Sequence, residues 1–189
     1  MGGAIALTLA STLEYKDLTS QIRGFMLESP YIALHPDNAP NAITVFAGKL
    51  AGKLLPHMQI VNVMPAETIV RDPLVQKSLT DDPLCHNTGT LEMFAAMLDR
   101  AASLDAGKYV LNPGVQAIYI AHGNGDRSTS YDASKKYYER CTKGVTDKAM
   151  KTYEGWSHQL HADLPGNGEI YATDCAEWIL KRVGGETKL

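Results

Sequence analysis

The sequence predicts an α/β fold in which parallel strands alternate with helices and one helical insertion interrupts the alternation. Three observations carry this. Val115–Ala121 is a continuous apolar run that leads through Gly123 and Gly125 to Asp126. Such a run, bounded by turn residues, reads as a strand buried on both faces. Tyr153-Glu154-Gly155-Trp156-Ser157-His158 repeats the logic: a short strand, a glycine, a loop, then an imidazole. Between Leu34 and Gly107, short helices and proline-rich joints replace the strand–helix rhythm, which reads as an insertion within one domain covering 1–189.

Length and composition bound the function classes. A chain of 189 residues can bury a real core. Hydrophobic residues make up 44% and charged residues 21%, as in ordinary globular proteins, and the net charge is −3. With no basic field or Lys/Arg run, a nucleic-acid partner is not expected. Cys85, Cys141 and Cys175 are odd in number and far apart, with neither metal spacing nor a disulfide framework. A reducing, cytoplasmic setting is therefore expected. No apolar run reaches a membrane span. Met1–Ala10 lacks a charged segment ahead of its apolar residues and does not read as a signal peptide.

Taken in order, Met1–Ser11 reads as a helix without a preceding Ser, Thr, Asp or Asn cap. Its small residues suit close approach to a strand. Ile22–Pro30 reads as a strand stopped by proline. Ile43–Met58 reads as an amphipathic helix, with Ile43, Phe46, Ala47, Leu50, Leu54 and Leu55 near one face, Lys49 and Lys53 on another, and Gly48 and Gly52 as a small-residue stripe. Two readings stay open for it: a helix that touches a lipid surface or lids an apolar pocket, or one packed on its own domain with solvated lysines. Gly89–Ser103 reads as a helix packing Leu91, Phe94, Ala95 and Leu98 into a core. After the Val115–Ala121 strand come a helix at Ser134–Cys141, a strand at Lys148–Tyr153 and a last helix at Glu169–Val183. That helix places Ile170, Cys175, Ile179 and Val183 on or near one face, and Gly184 and Gly185 stop it. Right-handed crossovers make the three strands parallel neighbours.

The chemistry lies in Asp126 and His158. At the ends of neighbouring strands they place a carboxylate beside an imidazole, and a carboxylate that fixes the tautomer of a histidine makes it a general base. Such a pair lacks only a nucleophile. Ser29 and Ser157 read as turn or capping residues. His161 follows His158 by three but has no third ligand at sensible spacing, so no metal is expected there, and it reads as a structural or pocket-rim residue. His35, His57 and His86 read as surface residues of the insertion, and His122 as a residue orienting the loop beneath the acid. Tyr137 and Tyr138 read as helix packing.

Several segments together resemble one family. Met1-Gly2-Gly3-Ala4-Ile5-Ala6 is similar to the second half of the Gly-His-Ser-Met-Gly-Gly elbow of monoacylglycerol lipases, within the lysophospholipase and serine aminopeptidase group of α/β-hydrolases. Ser29-Pro30 resembles the Ser-Pro that ends strand six there, Asp82-Pro83-Leu84 a cap motif, and His122-Gly123-Asn124-Gly125-Asp126 the acid loop. Tyr153–His161 resembles the segment that ends strand eight and carries the catalytic histidine, and Leu34-His35-Pro36 resembles fungal members.

This resemblance implies the C-terminal part of an α/β-hydrolase fold, strands six to eight with flanking helices, and a helical cap over 34–107. It implies a Ser-Asp-His triad made of Asp126, His158 and a serine directly before Met1, with the Met1 backbone as an oxyanion donor. That serine, the strand leading to it and the other oxyanion loop are not in these 189 residues, so this chain alone is expected to be inactive. The implied substrate is a glyceride or lysolipid. No cofactor is implied. Ile43, Phe46, Leu50, Leu54 and Leu55 become lipid-facing, with a membrane or lipid-droplet surface as partner. The Ile22–Glu28 strand is left as a sheet edge that invites self-association. Two other readings remain open: a non-catalytic lipid- or protein-binding module, and a short-chain esterase or peptidase on the same scaffold.

Overall fold

A computed structural model describes residues 1–183 of the chain. The first elements are α1 (Gly2–Ser11), a short α2 (Lys16–Ser20) and β1 (Phe25–Glu28). The chain then leaves the sheet through α3 (Ala42–Leu54), β2 (Gln59–Val61), α4 (Pro73–Asp81), β3 (Thr88–Thr90) and α5 (Leu91–Asp105). It returns as β4 (Ala117–Gly123), α6 (Tyr131–Cys141), β5 (Asp147–Tyr153) and α7 (Asn167–Val183).

The main sheet has the order β1-β4-β5 and is parallel throughout. Phe25 pairs with Ile118 on one side of β4, and Ala117 with Asp147 on the other. Every residue of β4 is buried, which is why its sequence is a continuous apolar run and not an alternation. Ile118 and Ile120 face a core that contains Leu7 of α1, Leu104 of α5 and Tyr137 of α6. Ala117, Tyr119 and Ala121 face Tyr153, Leu160 and Trp178 on the α7 side. Burying an Ile side chain contributes about 1.5–3 kcal/mol, so truncating either isoleucine strikes the centre of the molecule.

Several boundaries differ from the sequence reading. The first strand is shorter than Ile22–Pro30, because Ser29 turns into a left-handed conformation (φ 41°) and ends the ladder. The α6 helix begins at Tyr131, where the Ser130 hydroxyl caps the Ala133 N–H. Of the α7 residues expected near one face, Cys175 packs inward beside Tyr171 and Trp178, while Ile170, Ile179 and Val183 are exposed. A broad indole covers more of the sheet than a branched aliphatic chain. The Gly184-Gly185 stop lies outside the described residues.

The insertion holds two features absent from the sequence reading. One is the antiparallel pair β2–β3, whose strands are too short to show a period. The other is α4, although Asp72 capping Leu74 and Pro73 in the first turn form a readable start signal. The Gly52 side of α3 lies against α5, where an added Cβ would meet the Leu91 carbonyl oxygen at 3.2 Å. Lys49 turns toward Asp99 of α5 and pairs with it. The apolar stripe therefore faces outward: Ile43 is 81%, Phe46 71% and Leu54 72% exposed. Leu50 and Leu55 are exposed too. All three cysteines are free. Among the described residues no helix is long and apolar enough to cross a membrane.

Candidate active site

Two loops at the carboxyl ends of β4 and β5 meet backbone to backbone. The Gly125 N–H donates to the Trp156 carbonyl at 3.0 Å, and Asn124 N–H to the Tyr153 carbonyl at 3.1 Å. This contact, not a positive φ, explains the glycines in the acid loop. A Cβ on Gly123 would lie 2.2 Å from the Trp156 oxygen, and one on Gly125 would lie 2.8 Å from the Gly155 oxygen. The Asn124 side chain adds a brace by accepting the Gly155 N–H at 2.6 Å.

This approach sets the Asp126 Oδ2 2.8 Å from His158 Nδ1. The carboxylate is buried, and its surroundings saturate it. The backbone N–H groups of Ser128 and Thr129 donate to Oδ1 at 2.7 and 2.9 Å. The Thr129 hydroxyl donates to Oδ2 at 2.8 Å, and His122 Nε2 lies 3.0 Å from the same oxygen. His122 is completed on its other side by the Ser134 hydroxyl, 2.9 Å from Nδ1. Burial alone would push the Asp126 carboxyl up, but the hydrogen bonds and charge from His122 and His158 outweigh it. Its pKa is held well below the ordinary carboxylate range. An ionised Asp126 accepts the Nδ1–H of His158, which leaves Nε2 of that ring as the basic nitrogen.

His158 lines a cavity of about 340 Å³ together with Met1, Tyr31, Met64, Ser128 and Thr129. A second cavity of about 260 Å³ lies beneath α3 and shares Leu34, Asn38, Asn62, Phe94 and Met97 with the first. The two adjoin, one at the imidazole and the other within the insertion, and both have mostly apolar walls.

The other histidines are elsewhere. His161 pairs with Glu28, Nδ1 to Oε1 2.8 Å, and the same carboxylate accepts the Leu160 N–H at 2.6 Å, so its role is structural. His35 accepts the Asp37 N–H at the start of a short helical turn. His57 and His86 are exposed. Among the described residues no cluster could hold a metal ion. Ser157 donates to the Ile69 carbonyl, and Ser29 is a buried turn residue. Thr129 and Ser134 were missed in the sequence. A Ser-Thr pair directly after Asp-Arg is a legible signal for a carboxylate closing its own turn; Ser134 carries none.

A parallel sheet with an acid loop and a histidine loop at the carboxyl ends of adjacent strands defines the α/β-hydrolase class. Solved structures agree on the fold. A soluble variant of monoglyceride lipase from Saccharomyces cerevisiae, in complex with a substrate analog, superposes with a TM-score of 0.81 at 24% identity, over 95% of this chain and 62% of that one. A monoacylglycerol lipase from Paleococcus ferrophilus gives 0.78 at 21% identity, over 95% of this chain and 65% of that one.

The family follows from sequence: residues 1–165 match the family described as serine aminopeptidase, S33, and the chain belongs to it. It is 31% identical to the "Putative monoglyceride lipase" of Schizosaccharomyces pombe over 95% of this chain and 45% of that protein. With the monoglyceride lipase of Saccharomyces cerevisiae it shares 26% identity, over 100% of this chain and 60% of that protein. The chain thus spans about half the length of the curated monoglyceride lipases it matches.

Proposed function

We propose that the chain carries the acid and base of a serine hydrolase that cleaves the ester bond of monoglycerides or lysolipids. The observation that supports this most is the Asp126–His158 pair bordering a mostly apolar cavity that adjoins a second one under α3. Asp126 orients His158 and stabilises its imidazolium. His158 Nε2 takes the proton of the attacking hydroxyl and returns it to the leaving alcohol. The nucleophile is a serine directly before Met1. Met1 borders the same cavity as His158 and stands at the start of α1. The Met1 backbone N–H then serves as one oxyanion donor. Gly3 supports this placement, since a Cβ there would strike Pro30 at 2.8 Å and push the helix start away from the sheet.

The apolar walls of the inner cavity suit an acyl chain better than a peptide. The names of the relatives favour the same substrate class. Segment 34–107 acts as the cap, and its outward residues Ile43, Phe46, Leu50, Leu54 and Leu55 dock on a lipid surface. Capture of the native protein with an antibody to the C-terminal helix, followed by fluorophosphonate labelling, tests this. Label on a serine immediately before Met1, with release of fatty acid from monoolein, is expected. A native protein of 20.6 kDa that takes no label overturns it and leaves lipid binding as the activity to measure.

A further inference from the structure

His158 is bracketed by one carbonyl of the insertion. The Ser157 hydroxyl and the Gln159 N–H both donate to the Ile69 oxygen, each at 3.0 Å. Ser157 is buried, and Val70 beside Ile69 is fully closed to solvent. Two residues after Ile69, the Arg71 guanidinium forks onto the carboxylate of Asp163. Nε lies 2.9 Å from Oδ1 and 3.2 Å from Oδ2, and Nη2 also reaches Oδ2. The Asp163 side chain is wholly buried, whereas that of Arg71 is 35% exposed. Asn167 donates to Asp163 Oδ2 at 2.9 Å, which ties the same carboxylate to the first turn of α7. Burial would raise the Asp163 carboxyl, but the bonds from Arg71 and Asn167 outweigh it and hold its pKa down. The Gln76 amide donates to the Val70 carbonyl at 2.9 Å, so α4 braces the segment from behind.

The opposite side of the histidine loop is held by the sheet. There Glu28, at the end of β1, accepts from Leu160 and His161, and the His161 side chain is 58% exposed. The histidine loop is thus gripped from the insertion by a bidentate ion pair with a wholly buried carboxylate and from the sheet by a carboxylate that is 24% exposed. A planar guanidinium fork fixes direction as well as distance, which an ammonium cannot do.

We propose that Arg71 is a positioning residue for His158, acting through Asp163 and the Ile69 carbonyl, so that the insertion sets where the imidazole stands. The proposal rests on the reading of His158 as the general base. Its consequence is that a change in the path of residues 66–71 reaches the imidazole without touching it. The same stretch of chain, a few residues earlier, lines the cavity through Asn62 and Met64, so an occupant of the cavity touches the segment that leads to the Ile69 carbonyl.

The test uses the 189-residue chain with ¹⁵N-labelled histidine and glutamine, and it reads hydrogen exchange at the His158 Nδ1–H and at the Gln159 amide. Arg71→Met is expected to raise both rates about tenfold or more through local opening of the loop, with the fold kept. Arg71→Lys, which keeps the charge and loses the fork, should not restore protection. Lys77→Met breaks the exposed Lys77–Asp81 pair of the same insertion and should change neither rate. Rates at the wild-type value in Arg71→Met, or an equal rise in Lys77→Met, overturn the proposal. If Arg71→Met does not fold, Ser157→Ala, which removes one of the two bonds at Ile69, is read by the same criterion. Failure of the hydrolase reading shows separately, as absent fluorophosphonate labelling of the native protein, and leaves the exchange data standing.

Discussion

The side chains of His122 and Asp126, four residues apart in the chain, are both closed to solvent, and Nε2 stands 3.0 Å from Oδ2. The acid of the site is therefore shared between two imidazoles. One opens to the cavity and the other is sealed inside, fixed by Ser134. His122→Ala strips a donor from a buried carboxylate and leaves the Ser134 hydroxyl unpaired. A loss of about 1–3 kcal/mol is expected, read as a lower melting temperature. At this chain length ~2–4 °C accompanies each kcal/mol. An unchanged melt would remove the claim that His122 supports the acid.

Acid should weaken the fold through the buried carboxyls of Asp126 and Asp163. The folded-state pKa values of Asp126 and Asp163 lie below their ordinary values. Below the unfolded pKa of ~3.9, the unfolded chain takes up protons before the folded one does. The stability they contribute is fully present above that pH and drains away as pH falls toward the folded values. Melts from pH 7 to pH 3 should show this decline. Asp163→Asn should start lower at pH 7 and fall less steeply, whereas a slope equal to that of the parent excludes Asp163 as a contributor.

Ser29 should yield stability when replaced by glycine. Its φ of 41° is the left-handed region, and its hydroxyl is buried without a partner. A non-glycine residue there costs about 1–2 kcal/mol, so Ser29→Gly is expected to melt higher by a few degrees. A lower melting temperature would mean that the hydroxyl has a role at the end of β1.

Lipid docking depends on the outward stripe of α3. Leu50→Glu with Leu54→Glu should leave the melt nearly unchanged, because exposed sites away from special features shift stability by about 0.5 kcal/mol or less. Flotation with phosphatidylcholine–monoolein vesicles should move the parent to the lipid fraction and leave the double variant below. A parent that stays soluble refutes the lipid-surface proposal.

Self-association is the expected behaviour of the 189-residue chain. Among the described residues β1 pairs with β4 alone, so its other edge presents free backbone groups. Light scattering at micromolar concentration should report a mass above 20.6 kDa. A cooperative monomer would show that the edge is harmless.

Asp126 and His158 were legible because each follows a strand through a glycine-containing loop, a pattern local in sequence. That the three strands are parallel neighbours was legible from the handedness of crossovers. Helical periodicity grouped Cys175 with Ile170, Ile179 and Val183, but the inward side of α7 is set by Trp178, whose ring lies against Tyr119 with centroids 5.8 Å apart. On α3 the side that turns to α5 carries Gly52, where an added Cβ would meet the Leu91 oxygen at 3.2 Å, while Gly48 faces open space. The Arg71–Asp163 fork joins residues from distant parts of the chain. No local pattern announces such a pair, because it exists only once the insertion has folded back over the loop.

The excursion between β1 and β4 also sets an order of events. Phe25 and Ile118 are neighbours in space, yet the whole insertion separates them along the chain. By contrast β4, α6 and β5 follow one another and carry both Asp126 and His158. Loop closure costs more over the longer span, and contacts close in sequence form sooner. Asp126 and His158 thus belong to the segment that organises first, and β1, with Glu28 at its tip, joins a pair already half built. Pulse-labelled hydrogen exchange during refolding should show amides of β4 and β5 protected before those of β1.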